Sequence, residues 1–119
     1  RLIDSARNLM HRTMLMTLYA TGLRRSELCH LSYDSGRKRF ILRQFHVEGF
    51  VNQYVEQERA PGSKTLVFLS EEIENIPDGW RARETYTFLS DTEYIEVFEL
   101  APPKKEFAVY SESRWRRTK

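Results

Sequence analysis

Seven polar side chains in this sequence stand where binding chemistry could be done: His46, Asn52, Tyr54, Arg83, Glu84, Glu96 and Tyr110, each set among apolar or aromatic neighbours. A small-molecule pocket needs that combination, an apolar lining with a few convergent polar groups. Phe40, Leu42, Tyr54, Tyr86 and Phe98 are the candidates for the lining. The expected ligand-binding set is therefore Phe40, Leu42, His46, Asn52, Tyr54, Arg83, Tyr86, Glu96, Phe98 and Tyr110, and the expected ligand a small apolar or amphipathic molecule. Each polar member also has an ordinary structural role. Glu84 and Glu96, with Arg81 and Arg83 close by in the chain, suit cross-strand ion pairs on a solvated face as well as a general acid and base. Tyrosines commonly sit in cores with the hydroxyl satisfied at an edge. His46 suits a hydrogen-bonded turn, and a lone histidine is no metal site. The order of residues offers no Ser-His-Asp set, no Gly-rich phosphate loop and no paired metal ligands. Neither an enzyme nor a bound metal or cofactor is expected.

Composition bounds the rest. With 119 residues, of which 40% are hydrophobic, the chain can bury one modest core, so one compact domain with an appendage is expected. Lys and Arg total 19 against 17 Asp and Glu, too balanced to argue for nucleic acid on charge alone, and nucleic acid is not the expected partner. The run Arg114 to Lys119 is basic, which suits a solvated strand end or a phosphate contact. The single cysteine, Cys29, excludes an internal disulfide and favours a reducing compartment. No apolar run reaches the ~20 residues of a membrane span, and no leader is evident, so the expectation is a soluble, cytoplasmic protein without a membrane partner.

Two periodicities divide the chain. From Leu2 to Ala20, Ile3, Ala6, Met10, Met14 and Leu18 recur at helical spacing; Gly22 suits the end of that helix, and a short second helix is expected over Arg24 to Leu31. Alternation replaces it beyond Ser32. Strands are expected over Lys38 to Val47, Phe50 to Glu56 and Lys64 to Ser70, and three more between Trp80 and Arg117, where Trp80, Ala82, Tyr86 and Phe88, then Tyr94, Phe98 and Leu100, then Phe107 and Val109 alternate with charges. The expected class is α+β, mostly β: a helical segment over 1–31, a sharp junction at Leu31 to Asp34, and a six-stranded antiparallel meander over 33–119. Six strands are too few to close a small barrel, for which about eight are needed, so the helix is expected to cover the apolar face and two chains to pair through exposed edges as a homodimer.

Two resemblances accompany these patterns. The segment from Arg12 to Leu31, above all TGLR-x-SEL at Thr21 to Leu28, resembles the start of the catalytic domain of tyrosine recombinases of the phage-integrase family. That resemblance implies a phosphate-clamping role for Arg24, supported by Glu27, and makes Arg24 and Arg25 candidate DNA-phosphate contacts. The family's remaining residues are not matched: Lys64 lies far from Arg24 for the hairpin lysine, and His11, His30 and His46 do not begin a His-x-x-Arg. A lone arginine without general acid, base or nucleophile cannot run phosphoryl transfer. From Tyr33 onward, FxLRQFHxEGFVNQY (Phe40 to Tyr54), IENIPxGWRARETY (Ile73 to Tyr86) and FELAxPxxxFxVYS (Phe98 to Ser111) resemble the C-terminal half of bacterial β-barrels of the calycin type, the lipocalin-like or fatty-acid-binding-like proteins. This implies a partial barrel around an apolar interior. No histidine follows His46 to ligate iron, so haem is not implied. The function expected is a non-enzymatic, lipocalin-like small-ligand-binding module, in a chain that two such resemblances would also suit as a gene-fusion product of unknown role. The alternative is a DNA-associated recombinase remnant without catalytic activity.

Overall fold

A computed structural model of the chain describes Met14 and residues 28–46, 49–60 and 62–116. Seven strands follow one another: β1 (Leu28–Asp34), β2 (Arg39–Phe45), β3 (Val51–Glu56), β4 (Thr65–Glu74), β5 (Arg81–Ser90), β6 (Glu93–Ala101) and β7 (Ala108–Arg116). Each pairs antiparallel with the next in a single open sheet whose order is the chain order, so β1 and β7 are its two edges. Period-two alternation explains this outcome. In β5 and β6 every second residue is buried (Ala82, Glu84, Tyr86, Phe88; Tyr94, Glu96, Phe98), so one sheet face carries the core.

The α+β class expected from the sequence is overturned. Apart from the single helical position at Met14, the regular structure of the described residues is all strand, with seven strands rather than six. The second helix, over Arg24 to Leu31, conflicts directly with β1, which starts at Leu28 and pairs along its length with β2, Leu31 opposite Leu42 and Tyr33 opposite Phe40. The junction at Leu31 to Asp34 falls with it, since regular strand precedes Ser32. Leu31 and Tyr33 alternate onto the apolar face, and the partner strand supplies backbone hydrogen bonds that local helical propensity cannot outweigh. The first helix, Leu2 to Ala20, lies outside the described residues except for Met14, which is buried in the core cluster. No helix among the described residues is long and apolar enough to cross a membrane, which says nothing of spanning by strands.

The sheet curls. Hydrogen-bonded strands lie about 4.8 Å apart, so in a flat sheet β2 and β5 would be separated by roughly 14 Å with their side chains parallel. Instead Gln44 of β2 donates to Glu84 of β5 at 2.5 Å, and His46, just past β2, stacks on Phe98 of β6 with centroids 6.2 Å apart. Three register shifts assist the bend, placing an extra residue at Glu71, Leu89 and Tyr110. At the β5 entrance Gly79 adopts φ +95°, and a Cβ there would lie 3.0 Å from the Pro103 ring, so the loop before β5 and the turn after β6 close on each other only with glycine.

The convex face is laced by ion pairs. Arg37, in the β1–β2 turn, binds both Asp34 and Glu71; Arg43 reaches Glu74, and Arg83 grips Glu99 through two nitrogens at 2.8 and 3.0 Å. Hydrogen bonds from Arg83 hold the Glu99 carboxyl below the usual range, and Arg37, then Gln53, do the same for Glu71. A carboxylate whose folded pKa is depressed stabilises fully above its unfolded value of about 4.3 and loses that contribution as pH falls below it. Glu99→Gln is therefore expected to flatten the decline of Tm between about pH 5 and 3 relative to the unaltered chain. Parallel Tm profiles would show that the pair contributes nothing, as many exposed pairs do.

Candidate functional site

The concave face is mostly apolar, with polar side chains set into it. Phe40, Leu42, Leu66, Phe68, Tyr86, Phe88, Tyr94 and Phe98 form a continuous cluster in which Tyr86 meets Phe68 and Tyr94 edge-on, with centroids 6.0 and 5.6 Å apart. Set into it are five buried polar or charged residues, Gln44, Asn52, Glu56, Glu84 and Glu96, none more than 7% exposed. Alternation forces them inward. Gln44 continues the series Phe40, Leu42; Asn52 and Glu56 flank Tyr54; Glu84 lies between Ala82 and Tyr86, and Glu96 between Tyr94 and Phe98.

These groups form a hydrogen-bond chain with a direction. Asn52 Nδ2 donates to the Tyr54 hydroxyl at 2.9 Å, the hydroxyl donates to Gln44 Oε1 at 2.7 Å, and Gln44 Nε2 donates to Glu84 Oε2. Glu84 Oε2 is the acceptor, so each amide is oriented in turn: Gln44 gives its NH2 to Glu84, and its oxygen is left to receive Tyr54. At the far end Asn52 Oδ1 is buried and accepts no hydrogen bond. His46 Nε2 stands 3.4 Å from Asn52 Nδ2, and its ring is stacked on Phe50 at 4.2 Å, half-buried at the rim. Separately, Trp115 of β7 donates its indole N–H to Glu96 Oε1 at 2.9 Å.

The residues expected from the sequence are divided by this geometry. Phe40, Leu42, Asn52, Tyr54, Tyr86, Glu96 and Phe98 share the concave face, with His46 at its margin. Arg83 lies on the other face, over the Phe107 ring at 4.3 Å and bound to Glu99, and Tyr110 is 71% exposed on β7. Arg24 and Arg25 lie outside the described residues. Glu84 and Glu96, read from the sequence as partners for surface arginines, face the interior instead, because parity within the strand overrides the proximity of Arg81 and Arg83 along the chain. Val109, expected on the buried face, is 61% exposed, and Phe107 is half-buried under Arg81 and Arg83. Gln44 and Trp115 were missed as site residues. Gln44 could have been found, since it sits in phase with Phe40 and Leu42.

The arrangement can orient a polar group. Among the described residues no three His, Cys, Asp or Glu side chains converge as metal ligands. Comparison with family models, curated proteins and solved structures returns no match to this chain.

Proposed function

We propose that the curled sheet is a non-enzymatic binding module of lipocalin-like type for small amphipathic molecules. The apolar part of the ligand enters at the margin of the concave face beside His46 and Phe98, and its polar end meets the Asn52 end of the hydrogen-bond chain. The observation that carries this reading is the stranded Asn52 Oδ1. A buried acceptor without a donor costs about 1–3 kcal/mol, and an all-apolar face would avoid that cost. A ligand hydroxyl or N–H would satisfy it. The resemblance of residues 33–119 to calycin-type barrels supports the same reading, and the single cysteine supports a cytoplasmic setting.

Because the chain of donors runs from Asn52 toward Glu84, its open end accepts. Long-chain alcohols are therefore expected to raise Tm more than methyl esters of equal length, which bring no donor. Saturating ligand at a hundredfold excess over Kd adds about 2.7 kcal/mol, a shift of several degrees for a domain of this size. Asn52→Leu is expected to erase the difference between alcohol and ester while keeping a smaller response to both. A thermal-shift panel in which no amphiphile moves Tm sinks the reading.

A further inference from the structure

β7 is a long edge strand that no other described strand pairs with on its outer side. Ala108 to Glu112 and Arg114 are exposed, including Val109 and Tyr110. One side of β7 pairs with β6 from Arg116 opposite Glu93 to Ala108 opposite Leu100; among the described residues its other side pairs with no strand. A bare row of backbone donors and acceptors is a template for another strand. The register shift at Phe98/Glu99 makes Tyr110 the extra residue, so the regular part of this edge is Ser111 to Arg116. Within it Glu112, Arg114 and Arg116 lie on the convex face and Ser111, Ser113 and Trp115 on the concave one, as their partners on β6 require.

We infer that β7 pairs antiparallel with β7 of a second copy about a two-fold axis at Ser113. Antiparallel pairing places same-face residues opposite each other, so the choice of axis decides the charges. An axis at Glu112 opposes two glutamates, and one at Arg114 opposes two arginines. The axis at Ser113 sets Glu112 opposite Arg114 of the second copy, twice, and within the regular stretch opposes no like charges. Arg114 donates to Glu93 through Nε, which leaves its terminal nitrogens to face the incoming Glu112. The axis at Arg114 also sets Glu112 opposite Arg116 twice but opposes two arginines at its centre, and one at Trp115 opposes Arg114 to Arg116, so of the axes from Glu112 to Trp115 only that at Ser113 pairs opposite charges without opposing like ones. A two-fold contact closes after two copies, whereas β7 on the β1 edge of the next copy would propagate. The dimer joins two curled sheets edge to edge and leaves both concave faces separate, so it is independent of ligand binding.

Sedimentation equilibrium on the full chain from micromolar to millimolar concentration tests this. The unaltered chain is expected to dimerise. Glu112→Arg alone and Arg114→Glu alone each place like charges in opposition and should weaken self-association roughly tenfold or more. Mixed one to one, the two variants regain both Glu–Arg pairs and should associate with each other as tightly as the unaltered chain, a rescue that a folding defect cannot produce. Ser113→Cys should oxidise to a covalent dimer, because directly opposed strand residues meet disulfide geometry, while the unaltered chain, carrying Cys29 alone, should not. A monomer throughout the concentration range overturns the proposal. So does a dimer that ignores both charge reversals, or a Ser113→Cys variant that fails to cross-link.

Discussion

Truncating Tyr86 to alanine is expected to destabilise the chain by about 3–5 kcal/mol, a third or more of the stability of an ordinary small domain. Tyr86 is 1% exposed and sits at the middle of β5, with Leu66 opposite it on β4 and Glu96 opposite it on β6. Its ring is the edge-on partner of both Phe68 and Tyr94, and Tyr94 in turn packs on Phe88 at 5.0 Å. Removing the ring therefore takes away one large buried surface and opens a void between three others, which close-packed neighbours on paired strands cannot collapse to fill. Leu89→Ala is the control. Leu89 is the extra residue of the β5 bulge and 45% exposed, so its loss should cost less than about 0.5 kcal/mol. Urea unfolding followed by far-UV circular dichroism, with m unchanged, measures both. A Tyr86→Ala cost below about 1 kcal/mol would mean that the concave face is not the core.

β5 and β6 were legible because three signals coincide there: period-two alternation, aromatic and β-branched residues on one parity, and turn residues at Ser90-Asp91 and Ala101 to Lys104; β7 was legible as a strand but not in its facing, since Val109 precedes the bulge at Tyr110 and is exposed. β1 was not legible, for a physical reason. Leu28 to Tyr33 has apolar residues at Leu28, Leu31 and Tyr33, a spacing that serves a helix turn as readily as a strand, and its strand state depends on Phe40 and Leu42 arriving opposite. The polar part of the site was half legible. Parity alone puts Gln44, Glu84 and Glu96 on the apolar face, yet a charge in alternation with arginines invites a surface ion pair, and only the curl decides otherwise. That curl depends on bulges at Glu71, Leu89 and Tyr110, and no residue type at those positions announces an extra residue. Hence the meeting of Gln44 with Glu84 across two intervening strands could not be read from spacing.

The second large effect concerns that meeting. Tyr54→Phe removes one oxygen, and in doing so leaves Gln44 Oε1 without a donor and Asn52 Nδ2 without its nearest acceptor, at an expected cost of about 1–3 kcal/mol. Gln44→Leu is expected to cost a similar amount, about 1–3 kcal/mol, because it takes away the Gln44 acceptor of the Tyr54 hydroxyl and a donor to the Glu84 carboxyl. The two losses overlap. Once the Tyr54 hydroxyl is gone, Gln44→Leu no longer strands it, and once the amide is gone, Tyr54→Phe no longer strands Gln44. The double variant should therefore be about 1–2 kcal/mol more stable than the sum of the single changes implies. Costs that add to within about 0.3 kcal/mol would mean that the hydroxyl and the amide do not act as one chain. The double variant also separates stability from binding. With fewer stranded groups it folds better than simple addition allows, but the Asn52 amide is no longer oriented from Glu84, so alcohols should lose their advantage over esters even though Asn52 itself is intact. If the alcohol preference survives in this variant, the polarity of the chain has no part in choosing the ligand.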